Sequence, residues 1–348
     1  MPHVSFLIPG DLNLPTGGYA YDRRVLALLA AEGLDAAHVE LPASYPNPSA
    51  ADLRETSRIV RDLPRDTLLL IDGLAYGAMP ASVIRAFDRP VVALCHHPLA
   101  LEAGLSPARS IELKASETAA LALARHVIVT SPATRTLLAR DFAVPSDRMT
   151  VAVPGTDPAP RARGTGRPLQ LLAVGSVVPR KGYDVLVRAL DGLKHHDWRL
   201  VIAGADDRAP ATTTELRSLI AAAGLATRIT LAGPVSDDRL SDLYAGADVF
   251  VMSSLFEGYG MVLAEAMARG LPIVSTTGGA AAETAPDDAA RKVPPGDAAA
   301  LRDALGALIE DTALRTTMAD ASWRAGRALP QWDATARIIA DAIRKAST

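Results

Sequence analysis

Short apolar runs alternate with longer stretches of mixed character along most of the chain. In the first half, strand-length runs occupy residues 4–8, 36–41, 67–71, 91–95, 126–130 and 149–153. In the second half they occupy 169–174, 199–203, 228–231, 249–252 and 272–275, with a short one at 292–293. The stretches between them carry helix signals. Gly17-Gly18 opens one that runs to about residue 31 and closes at Gly33. Further helices are predicted over 49–62, from Asp72-Gly73 to 87, over 107–124 and from Ser131-Pro132, where proline takes the first helical position. The second half adds helices over 183–193, 213–223, a Ser236-capped one to 245, 261–269, 298–310, 313–328 and 333–345. Continuous apolar strands separated by helices predict parallel sheets covered on both faces.

The alternation breaks once. PAPRARGTGRP, ending at Pro168, is rich in proline, glycine and arginine and has no apolar period, so it reads as a linker. The expected fold class is α/β, with two Rossmann-like, doubly wound parallel-sheet domains and a cleft between them. Ligands of such sheets bind outside the carboxyl ends of the strands. That singles out the loops 9–18, 95–98, 175–182, 204–208 and 253–260.

Composition narrows the function. The chain has 348 residues, about half of them hydrophobic, enough for two cores. With 36 basic and 39 acidic residues the net charge is -3, so nothing in the charge balance favours nucleic acid as a partner. The single cysteine, Cys95, excludes an internal disulfide framework and a cysteine-rich zinc site and fits a reducing compartment. No signal-peptide pattern opens the chain, and no apolar run reaches the ~18 residues of a membrane span. The expectation is a soluble cytoplasmic protein, with peripheral docking on a membrane surface left open. The helix at 107–124 carries Arg109, Glu112, Lys114 and Glu117, which is not the pattern of a membrane anchor.

The densest chemistry lies in FEGYGMVLAEAMARGLPIVSTTGG, residues 256–279. Glu257 follows an apolar strand; Gly258 and Gly260 allow a close turn; a helix follows, stopped by Gly270 and Pro272. A helix start of this kind suits an anion, because its orphan amides and dipole favour negative charge. The same spacing also suits a tight turn with exposed acids, and Glu265 inside the helix also reads as a solvated carboxylate. Arg180-Lys181-Gly182 follows another strand and could neutralise a diphosphate, or be a solvated turn. Gly17-Gly18 could bring backbone against a ligand or cap a helix. His96 and His97 could bond a ligand hydroxyl or serve packing. No carboxylate or cysteine lies at ligand spacing from them in sequence, so no metal role is read there.

Together these residues resemble the family-four retaining glycosyltransferases of the GT-B fold. The family pattern is an acid, seven residues and a second acid, here EGYGMVLAEAMARGLPIV. GSVVPRKGYDVLVRAL, LYAGADVFVMSS, STTGGAAAET and VPPGDAAAL follow family order, and the N-terminal half adds TGGYAY and VVALCHHP. The resemblance implies an acceptor-side domain over 1–157, a linker at 158–168, a nucleotide-sugar domain over 169–330, and a helix at 331–348 that crosses back onto the first domain. It implies that Glu265 binds the donor ribose and that Glu257 contacts the donor sugar. Amides of Gly258, Tyr259, Gly260, Met261 and Val262 would meet sugar and phosphate. Arg180 and Lys181 would hold the diphosphate, in a loop that opens at Gly175. Gly18 would let the first domain approach it, His96 would contact the sugar, and backbone near Gly233-Pro234-Val235 would face the base. The activity implied is retaining transfer of a hexose-type sugar from a UDP- or GDP-sugar donor to a saccharide, lipid-linked or small-molecule acceptor, with neither metal nor cofactor. Ala282 replaces the usual proline before Glu283, and His97 stands where many members carry Asp or Gly. An epimerase of the same fold is the alternative. A nicotinamide oxidoreductase fits poorly, because GDLNLPTGG is not G-x-G-x-x-G. A non-catalytic binding subunit fits less well, since both acids and both cations are present. The sequence leaves open the base, the sugar, the acceptor and the oligomeric state.

Overall fold

The structure is a computed structural model and describes residues 3–347. The chain divides into two compact units: one runs through Gly155 and takes in the segment from Pro330, the other is Thr156–Leu329.

Unit one is built on six strands: β1 His3–Pro9, β2 Asp35–Leu41, β3 Leu68–Asp72, β4 Val91–Cys95, β5 His126–Val129 and β6 Met149–Val151. They pair in the order β2-β1-β3-β4-β5-β6, every pair parallel. β3 and β4 are buried along their whole length, as their unbroken apolar runs demand. β2 lies at the edge and is largely exposed, which accounts for its mixed DAAHVEL. The order reverses at β1, which has β2 on one side and β3 on the other. The carboxyl ends of β1 and β3 therefore form the switch point of this sheet.

One predicted helix of unit one is corrected. The stretch from Asp72 to Phe87 is not one helix but two short ones, Gly73–Tyr76 and Ala81–Arg85. Pro80 lies between them; it lacks an amide hydrogen and its ring clashes with a preceding turn, so the first helix ends before it. A 3-10 turn, Leu99–Leu101, follows the histidines and had no counterpart in the apolar pattern. Glu117, on the helix Pro107–Leu123, is 1% exposed.

The segment from Pro330 enters unit one as the helix Trp332–Ser347. Its apolar stripe of Ala336, Ile339, Ala340 and Ile343 is wholly buried. Trp332 meets Tyr21 edge-on at 5.7 Å, and the Thr335 hydroxyl donates to the Val153 carbonyl at 2.8 Å. Gly155 has room only for hydrogen, since a Cβ there would lie 2.3 Å from the Trp332 nitrogen.

Unit two carries β7 Leu169–Val174, β8 Trp198–Ala203, β9 Ile229–Gly233, β10 Val249–Met252, β11 Ile273–Thr276 and β12 Ala290–Val293. The order is β12-β11-β10-β7-β8-β9, again all parallel. The chain builds outward from β7 in one direction, then returns to β10 and builds in the other. The switch point lies between β7 and β10. The proline- and arginine-rich segment runs along this unit. Ala162 donates to the Arg269 carbonyl at 2.8 Å, and the Asp248 carboxylate accepts the amides of Thr165, Gly166 and Gln170. No helix among the described residues is long and apolar enough to cross a membrane.

Candidate active site

The loops after β7 and β10 meet at the unit-two switch point. The loop after β7 leaves at Gly175, turns through the 3-10 segment Pro179–Lys181 and passes Gly182 into the helix Tyr183–Asp191. Gly182 has φ +60°, and a Cβ there would sit 2.4 Å from the Ser253 carbonyl oxygen, so only glycine serves. Backbone bonds stitch the loops together: Leu255 N donates to the Arg180 carbonyl at 2.7 Å, and the Ser253 hydroxyl to the Lys181 carbonyl at 2.8 Å. The loop after β11 closes the third side. Glu257 pairs with Gly279 in a parallel bridge, with Glu257 N donating to Gly278 O and Ala280 N to Glu257 O.

This stitching brings the two cations onto one acid. Lys181 Nζ lies 2.7 Å from Glu257 Oε1, and Arg180 Nη1 lies 3.2 Å from the same oxygen. Arg180 Nη1 also donates to the Phe256 carbonyl at 2.9 Å. Glu257 is 7% exposed. Burial alone would push its pKa up; Lys181 and Arg180 more than offset that and hold it down at about 2. Glu257 is therefore a carboxylate throughout the neutral range. A Cβ on Gly175 would lie 2.8 Å from Lys181 Cε, so the lysine stem lies against this glycine.

Past Glu257 the chain turns at Gly260, which has φ +90°, and enters the helix Met261–Ala268. No side chain caps that helix. Gly258, Tyr259, Met261 and Val262 thus lie around a helix N-terminus suited to an anion, just after the acid that pairs with both cations. Glu265 lies one turn along. Tyr244 donates to its Oε2 at 2.8 Å, Arg269 donates to its carbonyl at 3.2 Å, and its Oε1 has no partner among the described residues. Burial raises the Glu265 pKa, though Tyr244 and Arg269 oppose the rise. Val235 lies half-buried just past the carboxyl end of β9. Glu283 is exposed, in the short helix Ala281–Thr284.

In unit one, Gly18 and His96 come together. Gly18 lies in the first turn of the helix Gly17–Leu29, and a Cβ on it would touch His96 Cδ2 at 3.4 Å. His96 Nε2 lies 2.9 Å from Asp22 Oδ1 and 3.4 Å from Asp72 Oδ2. His97 instead faces Glu102, at 3.5 Å. The sequence reading missed Tyr244, Asp22 and Asp72. Asp22 carried a signal: it stands with Val25 and Leu29 on the buried stripe of its helix, where an unpaired carboxylate is costly. Asp72 ends a wholly apolar strand, a weaker signal of the same kind.

Comparisons with known proteins agree over most of the chain. A family model described as Glycosyl transferases group 1 matches residues 168–311, and one described as Glycosyltransferase Family 4 matches residues 35–160. The D-inositol 3-phosphate glycosyltransferase of Xylanimonas cellulosilytica is 34% identical over 229 residues, 60% of this chain and 54% of its own length. The chain thus spans about half the length of that relative. The MMP alpha-(1->4)-mannosyltransferase of Mycolicibacterium hassiacum is 28% identical over 290 residues, covering 77% of this chain and 68% of its own. Sucrose-phosphate synthase from Thermosynechococcus elongatus superposes with a TM-score of 0.84 at 22% identity, covering 99% of each chain. Anabaena Alr3699/HepE, solved with UDP-glucose, gives 0.76 at 18% identity over 99% of each. At these identities the two structures attest the fold.

Proposed function

This chain belongs to the family-four glycosyltransferases and has the GT-B fold, and from that premise we propose that it moves a hexose-type sugar, with retention, from a UDP- or GDP-sugar to a hydroxyl of a saccharide, glycolipid or small-molecule acceptor. The observation that carries this reading is the convergence of Arg180 and Lys181 on Glu257 beside an uncapped helix N-terminus. Glu257 neutralises both cations. A donor diphosphate would take them over, and Glu257 would turn to the sugar hydroxyls. Glu265 would accept ribose hydroxyls at its open Oε1.

Breaking the bond from the anomeric carbon to the phosphate oxygen sends the electron pair to the leaving diphosphate. Arg180, Lys181 and the helix amides stabilise that charge where it develops. The acceptor oxygen bonds to the same face of the carbon, and its proton passes to the departing phosphate oxygen. Glu257, with its pKa near 2, is too weak a base to take that proton. The cations do the charge work that a divalent ion does elsewhere, so transfer should survive a chelator. The donor class draws support from the UDP-glucose named with the Anabaena structure and from the glycosyl- and mannosyltransferase names of the relatives. The free, buried thiol of Cys95 supports a cytoplasmic location.

Thermal-shift measurements with UDP, GDP and their hexose conjugates test the reading. One nucleotide series should stabilise the chain, by about 2.7 kcal/mol at a hundredfold excess over Kd. No shift with any of them would sink it.

A further inference from the structure

Unit two brings together a second group of chemically active side chains, away from the loops of the candidate active site. The helix Tyr183–Asp191 ends in a turn that carries His195 and His196 and leads into β8. That turn lies at the amino end of the parallel sheet, whereas the paired cations and Glu257 lie at its carboxyl ends. The helix Ala298–Glu310 ends beside the turn. One nitrogen from each imidazole and one carboxylate oxygen of Glu310 lie within 4.8 Å of one another. The two rings stand 3.9 Å apart, centroid to centroid.

The backbone that carries these groups is fixed. The Trp198 indole, 0% exposed, donates to the Leu193 carbonyl at 2.8 Å, and the His196 amide donates to the same carbonyl at 3.1 Å. Arg228 lies 4.1 Å over the Trp198 ring and donates to the carbonyls of Lys194, His196 and Trp198. A Cβ on Gly306 would lie 3.4 Å from Leu193 Cδ2, so the helix that ends at Glu310 packs on this turn. The nearby cations are engaged elsewhere. Lys194 pairs with Asp191 at 2.5 Å, and Arg315 donates to the Leu308 and Ile309 carbonyls.

His196 and Glu310 are close without completing a hydrogen bond. His196 Nε2 is a buried atom, and Glu310 Oε1 lies 3.1 Å away but off the line of a bond. The nitrogen has no hydrogen-bond partner among the described residues. A ring nitrogen and a carboxylate oxygen bound to one tetrahedral metal ion at about 2.0–2.2 Å would stand about 3.4 Å apart. The observed separation is close to that. His195 is exposed, so its ring can turn to bring in the third ligand. Two imidazoles and one carboxylate suit a transition-metal ion, with water in the fourth position; Mg2+ and Ca2+ call for oxygen ligands instead.

We propose that His195, His196 and Glu310 form a binding site for a divalent transition-metal ion of the zinc class, which clips the turn before β8 to the end of the helix Ala298–Glu310. The ion would stabilise unit two from the edge of the sheet opposite the nucleotide loops. The site is independent of the transfer chemistry, which rests on Arg180, Lys181 and Glu257.

Titration calorimetry of ZnCl2 into the full chain, with thermal melts on the same samples, tests the site without any sugar donor. The native chain should take up Zn2+ at this site and melt at a higher temperature, and EDTA should reverse the rise. MgCl2 should leave the melt unchanged. His196→Asn and Glu310→Gln should each weaken Zn2+ binding by about 100-fold or more, since even a residue that only orients a metal ligand is worth about 10–100-fold. Both should keep the metal-free melting temperature, because Glu310 is exposed and His196 half-buried. His96→Gln should keep the site, which separates it from the Asp22, Asp72 and His96 cluster of unit one. A native chain that takes up no Zn2+, equal stabilisation by Mg2+, or unchanged Zn2+ binding in His196→Asn and Glu310→Gln would each overturn the proposal. Loss of the site in His96→Gln alone would also overturn it.

Discussion

Two cations share one oxygen of Glu257, and that makes the residue a competitor of the ligand it is proposed to serve. Glu257→Ala frees Lys181 and Arg180 for a diphosphate but removes the sugar-side contact. Isothermal titration of the nucleoside diphosphate should give an affinity equal to or above that of the native chain. Initial rates of transfer should fall about 100-fold or more, the scale of losing a charged transition-state contact. Weaker nucleotide binding with an intact rate would reverse the assignment. Glu265 predicts the complementary pattern. Gln at this position can still accept from Tyr244 but offers an amide where ribose would meet a carboxylate. Nucleotide affinity should fall about 10-fold, as for a lost charged hydrogen bond, with kcat at saturation largely kept.

Helix Pro107–Leu123 shows how an element can tie a loop to the core through one ionisable group. Glu117 is buried and its Oε2 accepts the Leu99 amide at 3.0 Å, at the start of the turn that follows His96-His97. Burial raises its pKa to about 8, although the amides of Leu99 and Ala100 pull it down. A carboxyl raised in the folded state lends stability that is complete below its unfolded pKa of about 4.5 and is lost as pH rises through about 8. Glu117→Gln keeps an acceptor and removes the titration. Urea midpoints of the two chains should be similar near pH 5 and should diverge by pH 9, with Glu117→Gln more stable by roughly 2–4 kcal/mol. Equal pH profiles would show that Glu117 does not titrate in this range. This element also marks the limit of what the sequence discloses. Strand runs such as Leu68–Asp72 and Val91–Cys95 were legible because a parallel strand buried on both faces must be apolar throughout. The acids 257 and 265 and the cations 180 and 181 were legible because each pair lies within one local stretch. The burial of Glu117 was not, because its helix mixes charges on both sides. Nor were the partners of His96: Asp22 is 74 residues away, and only the pairing of β1, β3 and β4 brings them together. The break at Pro80 is a local signal, since proline cannot continue the helix that precedes it.

The chain leaves unit one at Gly155, forms unit two, and returns at Pro330 to complete unit one. The returning helix is part of that unit's core rather than an appendage, and Trp332 is its anchor. It is 8% exposed, with Tyr21 at 5.7 Å and the Arg24 guanidinium 5.5 Å over its ring. Trp332→Ala should cost about 3–5 kcal/mol. Hydrogen exchange should report the loss in β5, β6 and the helix Gly17–Leu29; native protection of those amides would mean that the returning helix is dispensable. Every step proposed for the site depends on unit two binding a nucleoside diphosphate through its paired cations. Titration calorimetry of UDP and GDP into the native chain and into Lys181→Ala tests this most directly. The native chain should bind at least one of the two, and Lys181→Ala should bind it about 10-fold or more weakly, the scale of one charge-assisted contact. Binding of neither nucleotide, or equal binding by both chains, would contradict it.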